Sequence, residues 1–297
     1  MLQTTSTALS SRLQRFTSNR TWQTLRTAAW LEWQSQGNWT NPWLFLIYLV
    51  ARPLTAALVL VFMYWVISGY QARGAFFGFL IVGSASWSFV DQVMAGLARA
   101  VLDDREEYAM LKYVYIAPQS YITFLIGRSA PRMLAGCLSF AITLGFGIVL
   151  LGVPINLMHV NYLLLLLALL FGFVAIVALG IALAGLSLVM KRNAWVMPDA
   201  MAGALYLLAG AIFPIAILPA WLEKIALAMP LTYWLELIRR ALLGESIGAP
   251  FPIASTTTIV GLLALTTATT IVVCMVVFRI SEHIARERGQ IDRTTGY

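Results

Sequence analysis

LDDREEYAMLKYVYIAPQS, residues 102–120, packs Asp103, Asp104, Glu106 and Glu107, four of the chain's thirteen acids, into five positions. The stretches on either side are so apolar that water is the wrong solvent for them. Of the 297 residues, 60% are hydrophobic and only 11% are charged, against roughly 25% charged in soluble domains. The composition predicts an all-α integral membrane protein whose acids collect where the chain leaves the bilayer. No stretch outside the apolar runs is long enough for a separate catalytic domain.

Six runs reach the roughly 20 apolar residues of a spanning helix, in which every backbone group bonds within its own segment. They cover about 43–69, 75–98, 130–152, 161–189, 197–217 and 255–279. The distribution of Lys and Arg over the connecting segments sets the orientation. Arg12, Arg15, Arg20 and Arg26 precede the first run, and Arg99, Arg105, Lys112, Arg128 and Arg132 follow the second. With Lys191, Arg192, Arg279, Arg286, Arg288 and Arg293, one side carries fifteen basic residues, and the other has Arg73, Lys224, Arg239 and Arg240. Both termini and the 102–120 stretch are therefore expected in the cytoplasm. The net charge of +7 sits in these segments, so it implies anionic lipid as a partner and no nucleic acid.

The chain divides into a cytosolic tail, 1–42, and a membrane domain, 43–297, with a C-terminal tail at 280–297. In the first part, Trp22, Leu25, Ala29 and Trp33 recur at helical spacing, with Arg26 and Gln34 elsewhere on the circumference. This pattern predicts an interfacial amphipathic helix. The lack of acids before Glu32, with much Ser, Thr and Arg, is also the composition of organelle transit peptides.

Within 103–118 the acids fall in a first turn and Pro118 stops the helix, giving a short cytosolic helix with Tyr108, Leu111 and Tyr115 on one face. Such a face suits a groove on another protein. The alternative is a helix lying on lipid. On the opposite side, Pro219 and Pro230 break 218–250 into two short apolar pieces that dip back into the membrane. The second piece has Thr232 as N-cap, a Glu236–Arg240 pair and Gly244 past its end.

Two ionisable residues fall inside spans. Arg52 lies about 20 positions before the turn at 70–74 and Asp91 about 19 after it, so they share a depth and are expected to pair. Cys137 and Cys274 lie in apolar runs and read as small hydrophobes. His159 and His283 have no partner at metal spacing, and no metal or cofactor is expected on this chain. None of the three lysines follows a Gly, so no phosphate-binding G-x-x-x-x-G-K-[ST] loop exists. Energy for any uphill work must come from a partner.

REEYAMLKYVYIAPQSYITFLIGR (105–128) resembles the cytosolic loop of ABC-2 type transporter permeases. GAIFPIAILPAWLEKIALAMPLTYWLELIRRALLG (210–244) is similar to that family's stretch before its last span. The resemblance implies a six-span permease subunit paired with a second permease subunit, in the plasma membrane of a prokaryote. Two cytosolic ATPase subunits would bind ATP and Mg, and the complex would export an amphipathic, lipid-like or drug-like substrate. It also implies that Asp104, Arg105, Glu106, Glu107, Tyr108, Leu111, Tyr115 and Pro118 form the coupling helix seated in the ATPase. Phe213, Pro214, Pro219, Trp221, Tyr233, Glu236 and Arg239 would close the extracellular end of the path. The competing readings are a lipid-modifying membrane enzyme, which lacks a second acidic motif facing Asp103 and Asp104, and a secondary carrier, which lacks protonatable groups along its spans.

Overall fold

The computed structural model describes residues 20–36, 42–67, 75–153, 155, 157–190, 194–244 and 255–291, and these form helices with no strand. Arg12, Arg15, Arg73, Lys191, Arg192, Arg293, the turn at 70–74, residues 245–250 and the side chain of Arg52 lie outside the described residues. The helices are α1 (20–36), α2 (Pro42–Ile67), α3 (Ala75–Val90), α4 (Gly96–Glu106), α5 (Leu111–Ile116) and α6 (Tyr121–Val149). They continue with α7 (Tyr162–Val189), α8 (Val196–Leu208), α9 (Ala220–Ala228), α10 (Pro230–Leu243) and α11 (Thr256–Glu287).

Four helical stretches are long and apolar enough to cross a bilayer: Phe76–Glu106, Tyr121–Val149, Tyr162–Val189 and Thr256–Glu287. The run expected at 197–217 is instead the 13-residue α8, a turn at Gly210 with φ +76 and a 3₁₀ turn at Ile215–Ile217. A helix of that length is about 20 Å long, short of the roughly 30 Å of hydrocarbon. The first expected run lies on α2, where the described apolar stretch is Leu54–Val66.

The second and third runs differ from the sequence reading at their ends. α3 passes through a π-turn at Asp91–Ala95 straight into α4, so the helix runs on to Glu106. α6 begins at Tyr121 and takes Arg128 and Arg132 into its buried face. Asp103 and Asp104 therefore end a long helix and do not start a short one. The chain breaks at 107–110, where Ala109 has φ +47, and only the six residues of α5 follow before Pro118.

The π-turn has a geometric consequence. At about 100° per residue, positions eight apart on an α-helix sit about 80° apart around the axis. One extra residue in a turn makes that spacing equivalent to seven, which returns to the same face. Asp91 thus meets Arg99, Oδ2 to Nη2 at 3.4 Å, and Arg99 also reaches Asp199 on α8 at 2.5 Å. The Arg52 side chain of the expected pair with Asp91 lies outside the described residues.

α7 is apolar around its whole circumference and lies against α4, α10 and α11. Asn161 caps its start by accepting from the Leu164 N–H at 3.0 Å, and the Asn161 N–H donates to Ala241 O at 3.0 Å. α10 therefore sits at the start of α7. The far end of α7 meets Arg105, which donates to Ser187 O at 3.1 Å, so α4 and α5 mark the opposite end of the bundle. α11 spans between the two ends: Thr256 accepts from Arg240 at 3.3 Å, and Arg286 lies 5.2 Å from the Tyr115 ring centre.

Candidate functional site

At the α4–α5 end, three helices meet through charge. Glu32 of α1 is fully buried. It is paired with Arg128 through Nε and with Arg132 through Nη2 at 2.5 Å, and Gln36 donates to it at 2.7 Å. Arg128 extends the chain of charges to Asp104 of α4 through Nη1, and its guanidinium lies 5.6 Å from the Phe124 ring centre. Arg128 and Asp104 are each 1% exposed. Two carboxylates thus face two guanidiniums, and the cluster is neutral. Gly96 leaves the room that Arg132 occupies, since a Cβ there would lie 2.2 Å from Arg132 Nη1. Burial alone would raise the Glu32 carboxyl, but Arg132 and Arg128, with hydrogen bonds from Arg128 and Gln36, outweigh it and hold the group below the ordinary glutamate range.

The expected coupling residues divide between two roles. Asp104 and Arg105 are buried structural groups, and Arg105 binds Glu106 at 2.7 Å as well as the end of α7. Leu111 is buried, and Tyr115 stacks on Tyr121 with ring centres 4.6 Å apart. These two therefore pack inward, contrary to the face expected with Tyr108, because the helix starts at Leu111 and sets a different register. Exposed together are Tyr108, Tyr113, Ile116 and Pro118, with Glu107 beside them. Backbone bonds from Tyr108 N and Met110 N to Asp103 O and Asp104 O, each 2.9 Å, fasten the break to α4. α5 is an exposed knob on a buried, charge-locked base.

At the other end the expected gate residues also split. Pro219 and Trp221 are exposed, and Phe213 and Pro214 are half-buried. Tyr233 donates to Leu227 O at 2.7 Å and ties α10 to α9. Glu236 takes Arg240 Nε at 2.9 Å, the spacing expected from sequence, and Gly244 ends the helix with φ +82. Arg239 is buried flat on Phe79, 3.4 Å from its ring centre, and donates to Gly210 O and Ala211 O at 2.9 and 3.0 Å. Thr232 is not the cap: Pro230 takes the first helical position, where no donor is needed, and Thr232 donates to Ala226 O at 2.7 Å.

α1 has two faces. Ala28 and Glu32 dock on α6, where a Cβ on Gly127 would lie 2.7 Å from Ala28 Cβ. Trp22, Leu25, Ala29 and Trp33 line a shared cavity, and Arg26, expected elsewhere on the circumference, lines it too. The charge cluster was invisible in the sequence. Its one available signal was that Glu32 is the only acid in the first 42 residues.

A multi-pass helical membrane protein with a knob at one end, a re-entrant helix pair at the other and no phosphate-binding loop is the membrane part of a transporter. The chain belongs to the ABC-2 type transporter family, whose model matches residues 23–243. Proteins of this family are membrane subunits without a nucleotide site of their own, and the family implies an ATP-binding-cassette ATPase as partner. A comparison with curated proteins gives no match.

Proposed function

We propose that this chain is the permease subunit of an ATP-driven exporter, with α5 as the element that receives motion from the ATPase. The observation that carries this reading is the exposed aromatic and aliphatic face of Tyr108, Tyr113 and Ile116, 53%, 66% and 79% exposed, on a base that cannot shift without moving three helices. A push on α5 would pass to α4 through the backbone bonds at 108–110, to α6 through the Tyr115–Tyr121 stack and to α11 through Arg286. The short α9 and α10, held by Tyr233 and Arg239, would then open or close the far end. The α4–α5 end lies in the cytoplasm with both termini, as the excess of Lys and Arg there supports. The assembly has six spans per subunit, the fifth broken at Gly210, two permease subunits, and two ATPases holding ATP and Mg, in the plasma membrane of a prokaryote. Its cargo is amphipathic, lipid-like or drug-like.

The test is co-purification of the tagged chain with the ATPase. Tyr113→Asp with Ile116→Asp should abolish both co-purification and stimulation of ATP hydrolysis while the melting temperature of the permease holds, since neither side chain packs inward. Unchanged co-purification and stimulation would overturn the assignment of α5.

A further inference from the structure

We infer that the trench between α1 and α6 binds one anionic phospholipid, with its phosphate on Arg26 and an acyl chain in the cleft between α7 and α11. This deepens, and rests on, the placement of α1 at the membrane surface. The trench is a cavity of about 1230 Å³ whose lining is almost wholly apolar, and Arg26 is the one charged residue that lines it. Trp22 and Trp30 lie one helical turn to either side of Arg26, both exposed. Indole rings with an apolar body and a polar N–H are the side chains of the bilayer interface, and a guanidinium between them matches a phosphate in a fork of two hydrogen bonds.

The occupant's charge follows from what surrounds Arg26. No acid lines the trench, and Arg26 has no acidic partner among the described residues. Glu32, the acid of α1, points to the other face and is consumed by Arg128 and Arg132. Because that buried cluster is neutral, the cation at the trench is unopposed. The occupant's shape follows from continuity. A second cavity of about 250 Å³ shares Ile126, Ser129 and Phe173 with the trench and runs on to Val177 and Cys274 between α7 and α11. A charged start and a narrow apolar continuation fit a headgroup and a chain better than the face of a second protein copy.

The test is native mass spectrometry of the purified chain with equimolar palmitoyl-oleoyl phosphatidylglycerol and phosphatidylcholine. The wild type should retain phosphatidylglycerol in preference. Arg26→Gln should weaken that retention about fivefold, the factor for about 1 kcal/mol per basic residue at an anionic surface, and bring it to the phosphatidylcholine level. Ala130→Trp, at an exposed trench position, should expel both lipids with Arg26 intact. Equal retention of the two lipids by the wild type, or an undiminished preference in Arg26→Gln, overturns the inference. So does an Ala130→Trp variant that keeps its lipids while a dimer becomes a monomer, since the trench would then hold a second copy. Both variants leave α5 untouched, so co-purification with the ATPase should persist. Its failure in the wild type would count against the export reading and leave the lipid result standing.

Discussion

Glu32 is the counter-charge for two arginines on another helix, so its loss leaves buried cations without a partner. Glu32→Gln should destabilise the fold by about 3–5 kcal/mol, the cost of breaking a buried pair from one side, read as a lowered melting temperature. Glu32→Asp should recover part of it. The carboxyl is held below its ordinary value of 4.5, so its contribution is complete above that pH and is lost as pH falls through the lower folded value. Amide exchange over 20–36, corrected for intrinsic rates, should stay slow from neutral pH down to about 4.5 and rise below it. None of this could be read from the chain alone. Arg128 and Arg132 count as ordinary basic residues flanking a span, and their partner stands 96 positions away from Arg128. Pairings within one helix, such as Glu236 with Arg240, were legible because spacing alone brings them together.

At the scale of the helix, close approaches replace charge as the determinant. Gly172 of α7 lets the Trp234 indole lie against the backbone, where a Cβ would sit 2.0 Å from Nε1. Gly172→Ala should cost about 1–3 kcal/mol by overpacking, measured by thermal unfolding, and should loosen α10 first in amide exchange. Gly127→Val should lift α1 from α6, because the added carbons meet the Leu25 carbonyl as well as Ala28. Proteolysis within 20–36 should then quicken while the spans stay protected. The sequence located α7 and α11 to within a few residues of their starts, since apolar runs of that length have one reading. It misplaced the ends of α3–α4 and α6, because charged residues normally mark the exit from a membrane and here they cancel one another inside it. The stop at Pro118 was legible. The break at 107–110 was not, as it rests on Ala109 taking a positive φ that its residue type does not announce.

For the whole molecule, binding and transmission separate on α5. Tyr115→Ala keeps Tyr113 and Ile116 exposed but removes the stack on Tyr121 and the contact with Arg286. Co-purification with the ATPase should persist, while cargo moved per ATP hydrolysed in liposomes falls several-fold. Equal losses of both would mean that the two faces of α5 act as one. The π-turn at Asp91–Ala95 adds a constraint of a different sort, on which insertions and deletions the gene tolerates. Removing one codon there would restore a regular helix and swing everything beyond it by about 100°. Asp104 would be carried off Arg128 and the knob pointed at another flank of the bundle. A one-codon loss before Gly96 should therefore survive selection only with a one-codon gain between it and Asp103, so the length of this segment is a trait under constraint even where its letters are free to vary.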